Sequence, residues 1–153
     1  MFTIDLPPTP KESTTHPVFP AQYDTPIALT HSHAASGVQP LSNGRLLYTE
    51  SSYTSPNDVF IVRGLNVKET PLKLEQVTKF TAESLDGKDL EPGESFWFKG
   101  AEDKQVQGWA FKPKGWKEGV KKSVPVILFI HGGPQGAWED QWSTRWNPNG
   151  RTR

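Results

Sequence analysis

The sequence contains no cysteine. A disulfide framework, a thiolate zinc site and a cysteine nucleophile are therefore excluded. The compartment stays open, because secreted proteins need not carry disulfides. A net charge is lacking as well, since 17 Lys and Arg balance 17 Asp and Glu. A neutral chain has no strong field to draw nucleic acid or an anionic membrane, so neither is expected as a partner. Long apolar runs are missing, and none approaches the ~20 residues that span a bilayer. Met1-Phe2-Thr3-Ile4-Asp5-Leu6-Pro7-Pro8 has neither the basic nor the apolar region of a signal peptide. Hydrophobic residues are also scarce, at 34% of 153 residues, which speaks against a large independent core.

Proline and glycine are plentiful, with 14 and 13 copies, which favours short strands and many turns over long helices. Residues 1 to about 43 are rich in Pro, Thr, Ser and His. Pro7, Pro8, Pro10, Pro17, Pro20 and Pro26 exclude a long helix there, and extended, loop-like chain is expected. Asn43-Gly44 is a strong turn signal leading into a strand over Arg45–Glu50. Ser55-Pro56-Asn57-Asp58 reads as a second turn, followed by a strand over Val59–Val62. Two short strands around a polar loop suit an antiparallel sheet such as a propeller blade. Alternation over Leu72–Lys79 gives weak strand character. A domain boundary is placed near residues 81–93, dividing the chain into residues 1–85 and 86–153.

Beyond it, Ser95–Lys99 and Val106–Lys112 are aromatic, β-prone runs joined by the polar Gly100–Lys104, and an antiparallel hairpin is expected. Val126-Ile127-Leu128-Phe129-Ile130-His131 then reads as a strand without polar alternation, the pattern of one buried on both faces in an α/β sheet. His131-Gly132-Gly133-Pro134 turns abruptly after it. Glycines at that place free the backbone to expose its N–H groups, and in α/β-hydrolases such a loop lends one donor to the oxyanion hole. On pattern alone, a small β-rich domain with one buried strand is an equal alternative.

Phe96-Trp97-Phe98, Gly108-Trp109-Ala110-Phe111-Lys112-Pro113 and Ile130-His131-Gly132-Gly133-Pro134 resemble the entry to the hydrolase domain of the prolyl oligopeptidase family of serine peptidases. The Trp-bearing run from Gln135 to Asn149 narrows the resemblance to the dipeptidyl-peptidase members, whose fungal forms are secreted. Tyr53–Phe60 is similar to late propeller sequence of the same enzymes. The resemblance implies a mixed β and α/β fold: partial β-propeller strands, then the N-terminal part of an α/β-hydrolase sheet, truncated. Gly150-Arg151-Thr152-Arg153 departs from the family pattern, as a truncated gene or transcript would.

Serine-dependent amide hydrolysis needs a nucleophile, a base, an orienting acid and an oxyanion hole. No Gly-x-Ser-x-Gly elbow occurs anywhere in the sequence. No catalytic residue is therefore assigned, and the triad is taken as absent. His131, Gly132 and Gly133 are the candidate oxyanion-hole loop, with His131 shaping the loop rather than acting as a base. His31 and His33 could share a strand face, yet no acidic or cysteine ligands accompany them, so no metal site is expected. Trp138, Trp142 and Trp146 would share one face if their segment were helical, either as a ligand platform or, more simply, as packing. Asp86, Glu91, Glu94, Glu102 and Asp103 read as solvated. The resulting expectation is a fragment of a secreted serine dipeptidyl peptidase, inactive alone, acting on peptides in its full form, with no cofactor. The alternative is a non-enzymatic β-rich binding module.

Overall fold

The computed structural model describes residues 1–3, 26–65, 71–121, 124–133 and 136–151. Pro7 to Pro20, expected as loop, lie outside these residues. The chain divides into two compact units, Met1–Ser32 and His33–Arg153. In the first, β1 (Phe2–Thr3) pairs antiparallel with β2 (Ile27–Ala28). The Met1 ammonium donates to Thr30 Oγ1 at 2.8 Å.

The second unit is built on a four-stranded antiparallel meander, in the order β3-β4-β5-β6. Its strands are β3 (Ala34–Leu41), β4 (Arg45–Ser52), β5 (Ser55–Arg63) and β6 (Lys73–Gln76). Asn43-Gly44 does form the β3–β4 turn. Both residues have positive φ, 60° and 62°, a backbone region that asparagine and glycine tolerate best.

Two expectations are corrected here. The chain before residue 43 is not loop throughout, because β3 occupies Ala34–Leu41. Pro40 is accommodated since β3 lies at the sheet edge, where one side of the strand needs no ladder donor. Gly37, with φ of 61°, sits in the irregularity between Ser36 and Gln39 that bends this edge. Ser55–Asp58 is likewise strand rather than turn. The reversal falls at Tyr53-Thr54, with Ser52 opposite Ser55. Pro56 precedes Phe60, where pairing with β6 begins, so its missing N–H breaks no bond to that strand.

Asp58 explains why β5 starts early. Its carboxylate is buried and accepts from Thr78 Oγ1 at 2.8 Å, Phe80 N at 2.9 Å and Gln76 Nε2 at 3.2 Å. These bonds clamp the segment after β6 to the start of β5. The core lies on the two central strands, where Tyr48, Ile61 and Val62 are buried. Tyr48 stacks on its cross-strand partner Phe60 at 5.6 Å between ring centroids. β3 and β6 flank them and are largely exposed.

After the single turn of α1 (Ala82–Leu85), β7 (Glu94–Lys99) and β8 (Gln105–Ala110) form the expected hairpin. A lone hairpin is marginal in water. This one is held through β8 and the residue after it: Trp109 donates its Nε1–H to the Trp138 carbonyl at 2.8 Å, and Trp109 and Phe111 both pack edge-on against Tyr53.

The strand expected over Val126–His131 does not form. These residues pair with no strand, and the sheets of the described residues are antiparallel, with no parallel sheet among them. Val126 is 91% exposed and Ile130 82%. An apolar strand of this type needs a neighbour on each edge and a layer on each face, and the described residues supply neither. The Trp138–Trp146 segment is not helical either; it runs as irregular chain held by hydrogen bonds to Ser51 and Tyr53.

Candidate functional site

The His131–Gly133 loop is exposed and turns sharply. Gly133 has φ of 71°, and Gly136 N–H donates to the Gly133 carbonyl at 2.8 Å. A Cβ on Gly136 would stand 3.2 Å from both the Gly132 and Gly133 carbonyl oxygens, so a third glycine lets the loop close tightly. His131 Nδ1 lies 3.5 Å from the Gly132 carbonyl oxygen, a position that suits loop shaping. The Gly132 and Gly133 N–H groups donate no hydrogen bond among the described residues.

A second constellation centres on the Tyr53-Thr54 turn, and sequence reasoning did not find it. Asp140 accepts from Tyr53 N–H at 2.8 Å through one oxygen and faces His33 Nδ1 at 2.8 Å through the other. The Tyr53 carbonyl accepts from Asn147 Nδ2 at 3.0 Å and from Asn149 Nδ2 at 3.1 Å. Asn149 also exchanges two bonds with the Glu91 backbone, each 3.1 Å. Trp142 N–H donates to Ser51 Oγ at 3.3 Å. Tyr53, Asn147 and Asn149 are buried. Both polar groups of an exposed-looking turn are thus satisfied from almost a hundred residues away. The only sequence signal was Asn147-Pro148-Asn149, which has no local meaning as a tether.

The remaining candidates fall elsewhere. His33 Nδ1 lies 2.8 Å from Asp140 Oδ2, and no cluster of three or more metal-ligating side chains occurs among the described residues. Glu94 pairs with Lys112 and Asp103 with Lys99, both at the surface. No helix among the described residues is long and apolar enough to cross a membrane.

Two tyrosines carry the clearest electrostatic perturbations. Burial, reinforced by the Glu50 charge and a hydrogen bond to it, pushes the Tyr48 phenol from 10.0 up to about 12. Burial, with the charges of Asp140 and Glu139, raises Tyr53 likewise to about 12. Between pH 10 and about 12 the unfolded chain loses these protons while the folded chain keeps them. Their contribution to stability is complete below pH 10 and is lost as pH climbs towards about 12. Absorbance titration should show the tyrosinate signal of both residues delayed in the folded chain and restored to the ordinary value in denaturant. Tyr48→Phe and Tyr53→Phe should each remove one delayed step.

The sequence matches no family profile, and no solved structure matches the fold. The chain is related to the dipeptidyl peptidases. The particular relatives carry the name dipeptidyl-peptidase 5. That of Schizosaccharomyces pombe is 33% identical over 122 residues, which is 80% of this chain and 16% of the yeast protein. That of Trichophyton schoenleinii is 48% identical over 64 residues, covering 42% of this chain and 8% of the relative. A probable dipeptidyl-peptidase 5 of Arthroderma benhamiae is 48% identical over 60 residues, covering 39% and 7%. The chain therefore spans a small part of the length of the relatives it matches.

Proposed function

We propose that this chain is a segment of a secreted, serine-type dipeptidyl peptidase that removes dipeptides from peptide N-termini through an acyl-enzyme. Residues 1–85 correspond to the end of a β-propeller and residues 86–153 to the start of an α/β-hydrolase domain. The observation that carries the reading is the 33% identity to a dipeptidyl-peptidase 5 across 80% of the chain. The antiparallel meander of β3 to β6 supports the first part, since a propeller blade is a four-stranded sheet of that type. The Gly132 and Gly133 amides support the second, as donors to the oxygen of a tetrahedral intermediate. That intermediate forms only when a serine attacks the substrate carbonyl, and the sequence holds no Gly-x-Ser-x-Gly elbow to supply the serine. The isolated chain is accordingly inactive. Peptide is the substrate of the full enzyme, with no role for nucleic acid, membrane or cofactor.

The test has two arms. The purified chain should neither hydrolyse an X-Ala chromophore dipeptide nor label with a fluorophosphonate; labelling of any serine would overturn the inactive reading. The 122 matching residues should also replace their counterpart in the yeast relative without loss of dipeptide release. A chimera that folds but releases no dipeptide would overturn the family function.

A further inference from the structure

Among the described residues, the glycine bend is tied down from its downstream side. Upstream, Val126–Ile130 joins no ladder and makes no hydrogen bond. Downstream, alternate residues are fixed. Gly136 N–H closes onto the Gly133 carbonyl at 2.8 Å. The Trp138 carbonyl accepts from Trp109 Nε1 at 2.8 Å. Asp140 accepts from Tyr53 N–H at 2.8 Å, and its other oxygen lies 2.8 Å from His33 Nδ1. Ala34 pairs with Ser51, so His33 and Tyr53 stand at the same end of the β3–β4 pair. One carboxylate therefore ties the chain after the bend to both strands at once. His33 has φ of 61°, a conformation that a side chain adopts seldom and that surrounding contacts must hold.

We propose that Asp140 is a positioning residue for the oxyanion loop, mooring the downstream arm of the His131–Gly133 bend to the Tyr53 reversal so that the Gly132 and Gly133 amides keep one direction. This role rests on the peptidase reading, in which a strand over Val126–His131 fixes the upstream arm. A bend held at one arm lets its amides swing, and donors stabilise an oxyanion only when they are aimed at it beforehand. Asp140 itself touches neither substrate nor reacting atoms; it acts through the backbone between residues 133 and 140.

Nitrogen-15 relaxation of the full chain tests the mooring without any need for activity. The Gly132 and Gly133 amides should have order parameters above about 0.6 in the parent and below about 0.6 in Asp140→Ala. Asp140→Asn should restore the parental values, because its amide oxygen still accepts from Tyr53 and its NH2 donates to His33 Nδ1 in the Nε2–H tautomer. Gly44, in the turn at the other end of β4, should stay ordered in every variant and so reports on the fold. If Asp140→Ala unfolds the chain, His33→Gly decides: it removes one partner of Asp140 where the positive φ suits glycine, and it should loosen both amides. Parental order at Gly132 and Gly133 in the deciding variant, or failure of Asp140→Asn to restore it, overturns the proposal.

The second arm is kinetic and uses a chimera of the yeast relative that carries residues 33–149 of this chain. Asp140→Ala should lower kcat by about 10- to 100-fold, the scale of a displacement of about 1 Å, and leave KM within about twofold. Asp140→Asn should recover kcat. An active chimera whose kcat is indifferent to Asp140→Ala overturns the positioning role and leaves the peptidase reading intact. A folded chimera that is inactive with Asp140 in place overturns the peptidase reading, and this role with it.

Discussion

Tyr53→Ala should lower the unfolding free energy by about 3–5 kcal/mol, the usual loss for a buried aromatic truncated to alanine. The ring is buried, with edge contacts to Phe111 at 4.7 Å and to Trp109 at 5.4 Å between centroids. Those contacts join the meander to the β7–β8 hairpin. A domain of this size has only about 5–15 kcal/mol in total, so the variant should lose much of its margin. Tyr53→Phe is the control, since it keeps the ring and removes only the hydroxyl. Urea midpoints should separate the two variants widely, and near-ultraviolet dichroism should show loss of the Trp109 environment in Tyr53→Ala alone. Equal midpoints would mean that the ring does not join the two parts.

Asp58→Ala should cost about 3–5 kcal/mol, because three donors lose their acceptor at once and each stranded donor is worth about 1–3 kcal/mol. The upper end is not reached, since Phe80 is 73% exposed and water can approach its N–H. Asp58→Asn retains an oxygen for Thr78 and Phe80 but turns an amide towards Gln76 Nε2, where donor meets donor. About 1 kcal/mol is expected there. Hydrogen exchange gives the local readout. Val77 N–H donates to the Val59 carbonyl at 2.7 Å and should exchange faster in Asp58→Ala, because the clamp beside it has gone. Unchanged protection at Val77 would show that the carboxylate does not hold that segment.

What was legible in the sequence was local. Asn43-Gly44 marked a reversal because only residues tolerant of positive φ suit it, and the β7–β8 hairpin followed from two aromatic runs around a polar link. Asp58 was misread because Ser-Pro-Asn-Asp has the composition of a turn, while its role is set by Thr78, twenty residues on. Val126–Ile130 has the pattern of an interior strand, yet pattern specifies only what a segment would bury, not what is present to bury it. Asn147 and Asn149 were silent because a side-chain amide meeting a distant carbonyl leaves no periodicity. The bend at His131–Gly133 was legible from its two glycines, whereas the part played by Gly136, whose close approach to two carbonyls makes the bend so tight, was not.

The tether from Asn149 to the Tyr53 carbonyl spans 96 positions of the chain. During synthesis at about 5–20 residues per second, the meander must therefore wait roughly 5–20 s before its last reversal is sealed. For the first part of that interval the Tyr53 ring lacks Phe111, and its carbonyl lacks both amides until Asn147 and Asn149 are made. A stall before codon 149 would leave this corner without its last tether.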